Sequence, residues 1–364
     1  MHPRTSTQTV KTNFENIDTI RFICIGVIVW GHCSSEMRNL HFTNISAVLL
    51  QSFVIQIGKL GTVIFFLISG FLMQPRIQTY TPLEFLKSRL KPTILPWLYF
   101  VVLLDLLHLY EQGLLKNFII EGKLDEGLIF FLETFKNIIS YLAYWFIVVF
   151  LLSSLILILL RKHINNNWMG ITLGLITLFY CVNLYFGWIS VHHTKAFLGY
   201  ALFMWAGMQI RRHYDKFSLF INKVAWWKLI AAFLFSFLLA SYEGILLTEM
   251  QCVDPYASIR ASNILNSAIL FLCLFKIGPV AAINALNPRK TVYGIYLLHT
   301  VLLLVRDGIT RRISQSVPQH ILGYLAIEAR DFIVVMVLSL AMVAAFRALQ
   351  SIQYLTQATP KEVA

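Results

Sequence analysis

Asn16-Ile17-Asp18-Thr19-Ile20-Arg21 leads directly into Phe22-Ile23-Cys24-Ile25-Gly26-Val27-Ile28-Val29-Trp30-Gly31-His32, an apolar run with a cation at one end and an imidazole near the other. A helix that crosses the hydrocarbon core of a bilayer needs about 20 mostly apolar residues, and residues 17–37 supply that length. The residues before it are polar and lack the basic, apolar and small-residue layout of a cleavable signal peptide. The run is therefore expected to stay in place as a span. Further apolar runs follow at 45–74 (interrupted at Gly58 to Gly61), 92–111, 141–160, 168–190, 196–212, 226–247, 261–285, 291–306 and 330–350. Together they predict an all-α fold, a polytopic integral membrane bundle of about ten transmembrane helices. It forms a single domain over 1–364, with cytoplasmic tails at 1–16 and 351–364.

Composition agrees. Of the 364 residues, 57% are apolar or aromatic and 13% are charged, where a soluble domain would carry roughly 25% charged residues. The mean hydropathy is +0.68. A formal charge of +12 would suit a nucleic-acid binder, but the basic residues sit in short clusters between apolar runs. Clusters of that kind orient a membrane protein instead. With ten spans and the N-terminus inside, the larger share of the 30 Lys and Arg falls on the inner side, so both ends are expected to be cytoplasmic. The five cysteines form no CxxC pair. His192 and His193 are adjacent, so they point apart on a helix, and no third ligand accompanies them. No metal is assigned.

Polar side chains inside a span are costly, which makes them the places to look for chemistry. Arg21 and His32 are eleven residues apart. That spacing is about three helical turns, on the order of 16 Å, with the two side chains within roughly 20° of one face. Asp18 lies one turn before Arg21 and can pair with it. A second cluster, Lys87-Ser88-Arg89-Leu90-Lys91-Pro92, precedes the third run. Pro92 suits the first turn of a new helix, so a helix N-terminus flanked by cations is expected there, an arrangement that binds anions. Ser69-Gly70 ends an aromatic run and would let another helix approach closely. Tyr296 and His299, three residues apart, share a helix face. Glu243 and Arg260 fall near the facing ends of consecutive spans and are expected to form an ion pair.

Taken in order, Asp18-x-x-Arg21 with His32, the run Phe65-Phe66-Leu67-Ile68-Ser69-Gly70-Phe71, Arg89 and Lys91 before Pro96, Trp145-Phe146 and Tyr296-Leu297-Leu298-His299 resemble acyltransferase family 3, the integral-membrane O-acetyltransferases of surface carbohydrates. The resemblance implies a donor, acetyl-CoA or another acyl-CoA, on the cytoplasmic side and a carbohydrate hydroxyl as acceptor. It also implies a bacterial cytoplasmic membrane and no metal. The family's Arg-x10-His motif falls on Arg21 and His32, and its Arg-x-Arg motif falls on Arg89 and Lys91. There a lysine keeps the charge but loses the bidentate fork. On this reading Arg89, Lys91 and Arg21 hold the donor phosphates and Asp18 orients Arg21. His32 acts as general base or forms an acyl-histidine. Ser69, Glu243 and His299 are candidate substrate contacts. A secondary transporter, for which no internal repeat is visible, and an acyltransferase with a lipid or protein acceptor stay open at this level.

Overall fold

The computed structural model describes residues 14–35, 37, 40–114, 124–140, 142–313 and 320–357. Among them every regular element is helical: α1 Glu15–Cys33, α2 Ile45–Met73, α3 Pro82–Arg89, α4 Leu95–Glu111, α5 Leu124–Ser140, α6 Trp145–Leu159, α7 Asn167–Phe186, α8 Phe197–Arg212, α9 Tyr214–Lys223, α10 Trp226–Glu249, α11 Ala261–Ile277, α12 Ala281–Ala285, α13 Pro288–Ile313 and α14 Ile321–Gln357. Of the expected tails, 1–13 and 358–364 lie outside the described residues, while 351–357 continue α14.

Every expected span is met by a helix, with several corrections. The run 45–74 is one unbroken helix, because Gly58 and Gly61 serve packing and do not interrupt it. The helix expected to begin at Pro92 begins ten residues earlier, at Pro82. There Thr81 and Glu84 close a capping box: Thr81 accepts from the Glu84 amide, and Glu84 accepts from the Thr81 amide. A π-helical turn over Leu90–Ile94 joins α3 to α4 and absorbs Pro92, which has no N–H to give to the preceding turn. The run 261–285 is split by Gly278, at φ +80, into α11 and the short α12. The run 291–306 is met by α13, which is longer than expected and starts at Pro288. Helix α5 was not expected. It is bent by 63° against α6 and passes as a span only together with it. On length and apolarity, seven helical stretches of the described residues can cross a membrane, or eight with this bent pair. Ala261–Ile277 has 17 residues and Phe197–Arg212 has 16, short of the roughly 20 that a bilayer core requires. The count of about ten is thus not reached by that measure.

Helix α2 is the axis of the bundle. Its apolar stretch is 72% buried, against 17% for α14 at the perimeter, and it packs against α1, α8, α10 and α11. Glycines set these contacts. A Cβ on Gly70 would lie 1.8 Å from the Met204 carbonyl oxygen, and one on Gly207 would lie 1.9 Å from that of Leu67. At the α1 crossing, a Cβ on Gly58 would meet Gly31 Cα at 2.2 Å. Backbones touch at both crossings, as small residues allow where lipid offers helices no hydrophobic incentive to associate.

On the α10–α11 side of α2, polar side chains satisfy one another. Arg260 is fully buried. It donates to the Ala240 carbonyl at 2.7 Å and to Gln56 Oε1 at 2.6 Å, and Gln56 donates onward to Asn263 at 2.9 Å. Glu243 accepts from the Tyr185 hydroxyl at 2.7 Å, from the Ser262 amide at 3.1 Å and from the Ser262 hydroxyl. The ion pair expected between Glu243 and Arg260 is therefore not a direct contact. Each charge has its own set of hydrogen-bond partners, so neither is buried unsatisfied.

Gly70→Ala should destabilise the bundle by at least the roughly 1–3 kcal/mol of an overpacked core. Gly26→Ala, where nothing lies within 4 Å of the added carbon, should melt within a degree or two of the native chain. Thermal unfolding of the two variants in detergent checks the contrast, and equal melting temperatures would contradict backbone contact at the α2–α8 crossing.

Candidate active site

Four side chains of α1 at helical spacing, Arg21, Ile25, Ile28 and His32, border one cavity of about 300 Å³. Intervals of four, three and four residues keep a single face of a 3.6-residue helix turned to it. Helix α2 presents Thr62, Phe65, Ser69 and Leu72 at the same kind of spacing. The Ser69 hydroxyl donates to the Phe65 carbonyl at 2.7 Å. Helix α6 contributes Trp145, Phe146 and Phe150, and α13 contributes Arg289, Val292, Tyr293 and Tyr296. The walls are thus apolar and aromatic over most of their length, with polar groups placed at the two ends of the α1 stripe.

Three arginines, Arg21, Arg89 and Arg289, border the cavity, and Arg21 and Arg289 are joined through one carboxylate. Asp18 stands behind two of them. Its Oδ2 accepts from Arg289 Nε at 2.6 Å, and its Oδ1 lies 3.6 Å from Arg21 Nη1. No carboxylate borders the cavity itself among the described residues, so the charged part of its lining is positive. Arg89 lies over the rings of Phe85 and Phe150, 5.5 and 5.9 Å from their centroids. Its buried Nε has no hydrogen-bond partner among the described residues. A buried guanidinium donor left unused is costly and fits a site that an anion completes.

At the other end the His32 ring meets that of His299, with centroids 5.2 Å apart. His299 is completely buried and does not border the cavity; its Nδ1 is 3.1 Å from the Ile295 carbonyl, which holds the ring against the helix. The connector before α6 is locked to α13 by two tyrosines. Tyr144 donates to the Leu297 carbonyl at 2.6 Å, and Tyr296 donates to the Ala143 carbonyl at 2.9 Å. Tyr293 ties α13 to the π-helical turn through the Thr93 carbonyl at 2.6 Å. These bonds fix the walls between the two ends.

The residues expected to act together divide accordingly. Arg21, His32, Ser69 and Arg89 border one cavity, and Asp18 supports two of its cations. Lys91 is exposed and does not border the cavity, because a residue two positions from Arg89 points to the other side of the helix. Glu243 belongs to the α10–α11 network instead. Arg289 was missed as a site residue. It lies 271 residues from Asp18, and no local pattern in the sequence distinguishes it from an ordinary basic residue at a membrane boundary.

With the five native cysteines replaced, Ser69→Cys and Thr62→Cys should react with a small water-borne thiol reagent. Ser153→Cys, at a fully buried position outside the cavity, should stay unlabelled. Labelling at Ser153 but not at Ser69, read by intact mass, would contradict a cavity at this place.

No curated protein and no solved structure gives a significant match to the chain. The family model described as an acyltransferase domain, that of acyltransferase family 3, matches residues 14–347. That match spans every residue bordering the cavity, from Arg21 on α1 to Tyr296 on α13, and the chain belongs to this family of membrane acyltransferases.

Proposed function

We propose that this acyltransferase moves an acyl group, acetyl in the simplest case, from acyl-CoA to a hydroxyl of an envelope carbohydrate. The observation that carries the reading is the single cavity with three arginines at one end and His32 at the other. A donor of this class is anionic at its nucleotide end and reactive at the far tip of a narrow arm. The cavity has matching ends, separated along α1 by about 16 Å. Arg21, Arg89 and Arg289 bind phosphate oxygens, and Lys91 adds a field at the mouth without contact. Asp18 orients Arg21. The excess of basic residues at the Arg21 end of the bundle supports a cytoplasmic donor, a cytoplasmic membrane as the location and cytoplasmic termini.

In the transfer, His32 accepts the proton of the acceptor hydroxyl as its oxygen attacks the thioester carbonyl. The carbon–sulfur bond breaks and the imidazolium returns its proton to the leaving thiolate, so the products are ester and thiol. General-base assistance of this kind contributes roughly 10²–10⁴ in rate. His299 backs the His32 ring, and Ser69 borders the path of the acyl arm. A lipid or protein acceptor would use the same donor site and differ only in what carries the new ester.

Glycans from cells making the native chain should gain the mass of one acyl group, and the gain should vanish with His32→Ala at matched membrane levels. Equal acylation by native and variant chains would remove His32 from the reaction. An ester found on lipid or protein but not on glycan would replace the acceptor. Arg89→Ala should lower activity by about 10–150-fold, the worth of a charged hydrogen bond, and Lys91→Ala by much less; initial rates with saturating acceptor compare them.

A further inference from the structure

Below the cation cluster lies a second cavity, of about 550 Å³, lined by Glu15, Asp18, Asn284, Asn287 and Arg289 with Pro279, Ala281 and Pro288. It is more polar-sided than the one leading to His32, and the two share only Pro288 and Arg289. The Arg289–Asp18 ion pair therefore stands on their common wall, with Arg289 facing both chambers and Asp18 facing the second.

The second chamber offers hydrogen-bonding groups of both kinds. Asn284 is held in place by Thr19, whose hydroxyl donates to Asn284 Oδ1 at 3.0 Å and accepts from the Val280 amide at 3.0 Å. With Oδ1 engaged, the Asn284 amide nitrogen has no protein partner among the described residues and is a donor at the chamber wall. Glu15 and Asp18 supply acceptors. A nucleobase with an exocyclic amine and ring nitrogens, as adenine has, needs donors and acceptors side by side. Phosphate needs the guanidinium that separates this chamber from the next.

We propose that the second chamber is the nucleotide subsite of the donor, with Arg289 as a phosphate-binding residue between the chambers and Asp18 as its resident counter-ion. The assignment rests on the acyl-CoA reading given above. The adenosine end lies against Glu15 and Asn284, the phosphates cross Arg289 toward Arg21 and Arg89, and the acyl arm runs along the apolar walls to His32. In the free protein Asp18 occupies the place that a phosphate oxygen takes in the complex. Binding exchanges one anion for another and leaves no guanidinium stripped of charge. Asp18 thereby competes with the donor as well as positioning Arg21.

The test compares equilibrium binding of CoA and of 4′-phosphopantetheine, which lacks the nucleotide, to the full chain in nanodiscs. The native protein should bind CoA at least about tenfold more tightly, the scale of one charged hydrogen bond. That ratio should shrink in Arg289→Gln and survive in Arg89→Gln. Asp18→Asn should tighten CoA binding, and weaker binding would overturn the counter-ion role. A CoA carrying a photoreactive azide on adenine gives a readout on the native chain that no folding defect can mimic. Its label should fall within Glu15–Thr19 or Pro279–Arg289. Equal affinities for the two ligands, or label confined to other segments, would overturn the nucleotide subsite while leaving the donor reading intact. Failure of both ligands to bind would overturn the donor reading, and the subsite with it.

Discussion

The direct backbone contact of α2 with its neighbours on either side is the constraint from which the rest of this molecule follows. Gly58 meets Gly31 of α1, and Gly70 and Gly207 bring α2 onto α8 with carbonyl oxygens where side chains would otherwise stand. In lipid, apolar side chains gain nothing by turning from hydrocarbon toward protein, so close van der Waals approach and polar satisfaction must hold the helices together. Gly31 directly precedes His32, and Gly70 directly follows Ser69. The same crossings that hold the bundle thus fix the height and rotation of the side chains that border the cavity.

Polar groups within the bundle are arranged in two different ways. The network around Arg260 and Glu243 is internally complete, each charge surrounded by donors or acceptors from α2, α7, α10 and α11. It joins helices and borders neither of the cavities described. The lining of the first cavity is incomplete: three arginines border it with no carboxylate among its described lining residues, and Arg89 Nε is buried without a partner among the described residues. A satisfied network makes structure, whereas an unsatisfied positive one makes a place for an anion. That difference in bookkeeping separates Glu243 from Arg89, although both are charged residues within spans.

Helix α13 links the cation cluster to the His32 end. Its first turn carries Arg289, the next turns carry Tyr293, bound to the π-helical turn, and Tyr296, bound to the connector before α6, and His299 further along packs on His32. A ligand anion that pulls on Arg289 therefore acts on the helix that also backs the imidazole. The π-helical turn at Leu90–Ile94 is bound to this helix through Thr93 and Tyr293. Arg89 and Thr93, four residues apart, stay on the cavity while Lys91 between them points outward.

Hydropathy and helical periodicity were enough to read an all-α membrane bundle, the helix positions to within a few residues at most of their ends, and the shared face of Arg21 and His32. Those properties depend on residues near one another in the chain, where a 3.6-residue repeat and the absence of water for the backbone leave few alternatives. Span continuity was less legible, because a glycine at a helix crossing and a glycine at a break look alike until the neighbouring helix is known. Gly58 and Gly278 fall on opposite sides of that distinction. Which further residues join the site, and which expected ones leave it, was decided by tertiary structure. Arg289 joins Asp18 across 271 residues, Lys91 lies outside the cavity, and Glu243 is absorbed by Ser262 and Tyr185. A cavity is built where faces of distant helices converge, and the rotation of each helix about its axis is set by its packing partners rather than by its own sequence.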